Sequence, residues 1–186
     1  MKSVRKTTRQ LQNQDGWAII STLIAIVIGL VVIGGLFAAA KQSMDSTKVT
    51  EAIQQTQTIK INVKQAFQSE PSFAALGAGA NAMLVNAGVY PQGMIRNAAT
   101  GDVRNPWDGA VNVLVDATPT RFVVEYQQVP QAACIKLATG RDWFQTLANG
   151  TIVWDSTSAA SNNTALATAN TQCNSPTANT VRFIVQ

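Results

Sequence analysis

Residues 17–40 form an unbroken run of 24 residues without a charged side chain, and a short basic leader precedes it. As a helix at about 1.5 Å per residue the run is about 36 Å long, enough to cross a hydrocarbon core of about 30 Å. A helix that is apolar all round needs a sheath of lipid or of other apolar helices. The leader holds Lys2, Arg5, Lys6 and Arg9 against the single acid Asp15, and it ends in Gly16. Four basic residues less one acid give +3 of the chain's formal +4. Cationic residues beside an apolar helix stay cytoplasmic, which places the bulk of the chain on the far side of the membrane. Beyond the leader, ten basic and nine acidic residues remain. No basic run suits a phosphate backbone, so nucleic-acid binding is not expected.

An ordinary secretory signal fits this pattern poorly. Its apolar core spans about 7–15 residues and its cleavage site follows that core. Here the run is longer, and the small residue at the boundary, Gly16, lies before it. A cut after Gly16 removes only the basic part and leaves Trp17 at the new amino terminus. This resembles the leader of type IV prepilins, which a dedicated peptidase cleaves on the cytoplasmic side after a glycine. A bitopic membrane protein that keeps its basic tail is the alternative.

From Lys41 onward the pattern becomes one-sided. Val49, Ile53, Thr56, Ile59, Val63 and Phe67 recur at spacings of three and four, with Lys48, Glu51, Lys60 and Lys64 between them. That is one face of a helix. Pro71 disfavours helical geometry at Glu70 and sets the helix end near Ser69. The reading is one helix from Trp17 to about Ser69, roughly 80 Å long. Its 17–40 half is the transmembrane or core segment, and its 41–70 half lies against a globular domain. Two helices broken around Gly34-Gly35 are the alternative.

Residues 71–186 make a domain of ordinary size. Gly77 and Gly79 mark a loop. Asn81 is expected to cap a short helix, Ala82 to Ala87, closed by Gly88. Strand-like runs follow at Ala110 to Val115 and Arg121 to Gln127, then at Thr151 to Trp154 after the Asn149-Gly150 turn, and at Val181 to Val185. Pro130 suits the first position of a helix carrying Ala132, Ala133, Ile135 and Leu137. The expected class is α+β, with a small antiparallel sheet of about four strands laid on the amphipathic half of the long helix.

Cys134 and Cys173 are the only cysteines. In an exported domain a lone pair is expected to form a disulfide. It would close a loop of about 40 residues and contribute on the order of 3–4 kcal/mol on chain-entropy grounds. That loop contains Ser156 to Asn170, a low-complexity stretch of Ser, Ala, Asn and Thr poorly equipped to fold by itself. Two free thiols are the alternative. A metal site has too few ligands, since the chain has no histidine, and no cofactor is expected.

Taken together, these residues resemble the class b type IV pilins, and within them the PilS group of thin-pilus pilins found with conjugative plasmids and some enterobacterial pilus operons. The resemblance rests on the sixteen-residue leader, Trp17 in place of phenylalanine, and the apolar helix. Asn86-Ala87-Gly88-Val89-Tyr90-Pro91, Asn105-Pro106-Trp107-Asp108-Gly109 and the late cysteine pair add to it. It implies a type IV pilin fold and removal of leader 1–16 by prepilin peptidase, with methylation of Trp17. It also implies a D-region bounded by 134–173, a homo-oligomeric helical filament with the apolar helices at its centre, and assembly machinery in the inner membrane. The subunit would sit in the inner membrane first and in an extracellular pilus, or fimbrium, afterwards. There it would serve adhesion or conjugation at a host or recipient cell surface.

One position departs from the family pattern. Most type IV pilins carry a glutamate as the fifth mature residue, where it neutralises the amino terminus of a neighbouring subunit. Here it is Ser21. A hydroxyl is far cheaper to hold in lipid than a carboxylate, but it supplies no compensating charge. Within the apolar run, Gly29, Gly34 and Gly35 allow close helix packing and weaken the helix locally. They are the expected positions of packing and flexing.

Catalysis has little support. The commonest general base, histidine, is absent, and no G-x-S-x-G nucleophile motif occurs. Asp102, Asp108 and Asp116 lack the compact spacing of a calcium loop. Trp107, Trp143 and Trp154 are read as core rather than as a glycan platform. Three readings remain: a structural pilin, a minor pilin or tip adhesin, and a pseudopilin of type II secretion.

Overall fold

The computed structural model describes residues 46–77 and 79–186. The leader, the 17–40 run and the positions Gly16, Trp17, Ser21, Gly29, Gly34 and Gly35 lie outside the described residues, as does the first half of the expected long helix. Helix α1 occupies residues 46–66. Val49, Ala52, Thr56, Ile59 and Val63 are buried, a seam at alternating spacings of three and four that keeps one side of the helix inward. Ile53, expected on that face, is 39% exposed, and Ala52 occupies the inner position instead. The helix gives way to turns at residues 67–69, where Glu70 N–H donates to Phe67 O.

Five strands form one antiparallel sheet. They are β3 (Val111–Val115), β4 (Phe122–Val129), β5 (Gln145–Ala148), β6 (Thr151–Asp155) and β7 (Asn179–Val185), in the order β3-β4-β7-β5-β6. A separate ribbon pairs β1 (Ile95–Asn97) with β2 (Asp102–Val103). The four strand runs expected from the sequence are all present. The sheet has one more member because β5, Gln-Thr-Leu-Ala, lacks the β-branched or aromatic density that marks a strand.

Register explains where the core sits. Val113 pairs with Val124, and Val124 with Phe183, so these residues share a face. Alternation places Val111, Phe122, Tyr126, Val181 and Val185 there as well, all buried. Helix α1 covers this face. Thr56 meets the Tyr126 hydroxyl, and Lys60 Nζ stands 5.0 Å from the Trp143 ring, which itself packs 4.9 Å from Phe183. At the end of the helix, Phe67, Phe73 and Phe122 form a chain of tilted rings. Truncating any one of Phe122, Tyr126 or Phe183 would cost about 3–5 kcal/mol.

Helix α2 (Ala80–Asn86) begins earlier than expected, with Gly79 and not Asn81 at its cap. The Asn81 amide is drawn off the helix toward the edge of β3. It accepts from Val113 N–H and the Tyr90 hydroxyl, and donates to Val111 O. Helix α3 (Gln131–Ala138) follows Pro130, as its missing N–H favours. Before β3, the Gly109 backbone passes so close to Gln127 O that a Cβ there would lie 1.8 Å from it. Opposite, β4 bulges at Gln128 with φ 54°.

The low-complexity stretch is the largest surprise. It folds as α4 (Ala159–Gln172), fourteen residues long. Only Ala165 and Ala169 of this helix are buried, so apolar burial contributes little to holding it.

Candidate functional site

The expected disulfide is present. Cys134, in the middle of α3, is joined to Cys173 at the end of α4, with Cα atoms 5.8 Å apart and both residues wholly buried. The bridge spans 39 positions and encloses the later part of α3 and all of β5, β6 and α4. Backbone and side-chain amides complete the attachment. Ser158 Oγ caps α4 by accepting from Ser161 N–H at 3.3 Å. Asn162 Oδ1 accepts from Asp155 N–H at 3.1 Å, tying α4 to β6. Asn149 donates to Gln172 O at 2.7 Å, tying the β5–β6 turn to the last turn of α4. Thr146 donates from β5 to the carbonyl of Ala138 at the end of α3.

The sheet face turned away from α1 carries a polar row across three strands: Asn112, Glu125 and Arg182. Arg182 Nε donates to Glu125 Oε2 at 2.6 Å, and Gln127 Nε2 donates to Oε1 at 2.7 Å. Burial pushes the Glu125 carboxyl up, but hydrogen bonds from Gln127, Arg182 and Asn112 outweigh it and hold the group below the usual glutamate range. Asp155 is held low too, by the Thr157 hydroxyl and backbone amide. The phenols of Tyr90 and Tyr126 are pushed up by burial and stay neutral.

The aspartates considered for calcium separate into pairs. Asp102 binds Arg104 at 2.6 Å, Asp116 binds Arg121 at 3.0 Å, and Asp108 faces Arg96 at 3.8 Å. Among the described residues no cluster of three or more acidic or thiol groups could hold a metal ion. The tryptophans also disperse. Trp143 is buried against Phe183, Trp154 lies under the Arg141 guanidinium on β6, and Trp107 packs beside the core before β3. They form no common platform. The Asn149-Gly150 turn lies between β5 and β6 as the sequence predicts, Asn81 serves the β3 edge rather than the helix cap expected of it, and Asn162 carried no sequence signal for its role.

The profile of the PilS family, described as "PilS N terminal", matches residues 40–186. No curated protein sequence matches the chain. Among solved structures, TcpA, a type IV pilin from the Vibrio cholerae El Tor biotype, is similar with a TM-score of 0.53 at 19% identity, covering 75% of this chain and 99% of that one. A type IVb pilin from Salmonella typhi is similar with a TM-score of 0.54 at 23% identity, covering 72% and 97%. The chain belongs to the PilS family, and its fold is that of class b type IV pilins. It is a pilus subunit and not an enzyme.

Proposed function

We propose that this PilS-family chain is the structural subunit of a type IVb pilus, held in the inner membrane as a precursor and polymerised into an extracellular filament for adhesion or mating-pair contact. The observation that carries this reading is a pair of features on one chain. A headgroup of type IVb pilin fold with a disulfide-bounded region follows a basic leader, Gly16 and 24 uncharged residues.

In this reading prepilin peptidase cuts between Gly16 and Trp17, and Trp17 becomes the methylated amino terminus. Assembly machinery then withdraws the subunit from lipid, and residues 17–40 of neighbouring copies replace lipid with one another. Gly29, Gly34 and Gly35 let those helices approach and stretch. Residues 41–70 link this core to the outer headgroup, and a host or recipient surface is the filament's target. Ser21 favours a second reading, a minor or tip subunit, because it cannot neutralise a neighbour's amino terminus.

The test is Gly16→Leu. Uncut precursor should accumulate in the membrane and surface filaments should be absent. Abundant pili from that variant would overturn the reading.

A further inference from the structure

Asn149-Gly150 is the one Asn-Gly pair in the sequence. Both residues have left-handed backbones, φ 48° and 87°, as a two-residue hairpin turn between β5 and β6 requires. Glycine after asparagine also leaves the asparagine carbonyl carbon open to the next backbone nitrogen, because no Cβ shields it. Such a pair is therefore prone to lose its side-chain amide. Here that amide is fully engaged. Asn149 Nδ2 donates to Gln172 O at 2.7 Å and to Asn179 Oδ1 at 3.1 Å, while Oδ1 accepts from Thr180 N–H at 2.8 Å.

The network continues inward. Asn179 is wholly buried, and its own Nδ2 donates to Val129 O and Ser175 O. Two linked amides, Asn149 and Asn179, thus join the β5–β6 turn, the end of α4, the start of β7 and the end of β4. Gln172 immediately precedes Cys173, so the disulfide fixes the carbonyl on which Asn149 closes.

We propose that Asn149 is a deamidation site which the fold keeps closed, with the Cys134–Cys173 bridge as its lock. In the reaction the Gly150 nitrogen, having lost its proton, bonds to Asn149 Cγ. The Cγ–Nδ2 bond breaks and ammonia leaves with that proton. Water then opens the resulting succinimide, giving an aspartate or its β-linked isomer. No oxidant or enzyme is needed. Ring closure requires the side chain to turn so that Cγ meets the Gly150 nitrogen, and the three hydrogen bonds resist that rotation, so the step waits on local opening. Its product is also disruptive. A carboxylate at this position presents only acceptors to the Gln172 carbonyl and the Asn179 oxygen, so closure is lost for good.

Full-length oxidised protein in detergent is incubated at mildly alkaline pH, and conversion at Asn149 is followed by peptide mass. Conversion should be slowed roughly tenfold or more relative to the unfolded, reduced chain, which corresponds to an opening free energy of about 1.4 kcal/mol or above. Reduction without denaturant should restore much of the rate while amide exchange in β3 and β4 stays slow. Equal rates in the folded and unfolded chains, no acceleration on reduction, or unfolding of β3 and β4 with it would each overturn the proposal. Asn149→Asp, standing for the product, should speed exchange around residues 170–180 of the oxidised protein; unchanged exchange there would contradict the latch.

Discussion

The two halves of the sheet are held by different physics. Strands β3, β4 and β7 bury Val113, Phe122, Val124, Tyr126 and Phe183 in one core with Ile59 and Val63 of α1. Area removed from water dominates there, and the alternating pattern alone sets the register. Strands β5 and β6 with α4 have little of this. Their helix is built of Ala, Ser, Thr and Asn apart from an exposed Leu166 and the terminal Gln172, inserts two alanines, and relies on one covalent bond and several amide hydrogen bonds. A segment poor in hydrophobes can still be ordered when its ends are tied and its few buried polar groups find partners.

The contrast breaks most severely in the first half. Phe183→Ala removes a ring packed against both Tyr126 and Trp143 and should cost about 3–5 kcal/mol. Cooperative unfolding of the whole headgroup in a denaturant titration is the expected result. In the second half, Cys134→Ser with Cys173→Ser should remove about 3–4 kcal/mol on chain-entropy grounds. Hydrogen exchange should then rise first in residues 151–172, with β3 and β4 still protected. Uniform loss of protection would merge the two halves into one unit.

Acid reaches both halves, since Asp155 on β6 is also held low, but the buried carboxylate of the two is Glu125. The Glu125 carboxyl sits in the first half and is held below the usual range by Gln127, Arg182 and Asn112 against the opposing effect of burial. A depressed carboxylate contributes stability that is complete above its unfolded value near about pH 4.3. That contribution is lost as pH falls through the lower folded value. Glu125→Gln should therefore cost about 1.5–3 kcal/mol at neutral pH and flatten the acid limb of a stability curve. An unchanged acid limb would show that Glu125 is not the group responsible.

Two smaller changes sharpen the picture at the sheet edges. Asn81→Ala removes the amide that stands in for a neighbouring strand at β3, and about 1–2 kcal/mol should go with it. Faster exchange at the Val113 amide is the direct readout. Ser158→Ala deletes the α4 cap and should cost about 1 kcal/mol, visible as fraying at the start of α4 alone.

Legibility in the sequence followed the same division. The seam of α1, the four strong strands, the Pro130 helix and the disulfide could be read because period, turn residues and cysteine count are local signals. The α4 helix could not, since its propensity is weak and its order comes from partners at positions 134, 149 and 155. β5 was missed for a related reason: its neighbours β6 and β7, not its own composition, make it a strand. Asn81 looked like a helix cap because side-chain amides favour that role. An unfilled sheet edge offered it more partners.

Intact mass of the subunit sheared from cells, reduced and unreduced, tests the central claim most directly. A mass matching Trp17–Gln186, lighter by two hydrogens before reduction, is the predicted result, and an added methyl would show that Ser21 does not block modification. Full-length chain retained in the membrane with nothing released by shearing would contradict the pilus reading and favour a bitopic membrane protein.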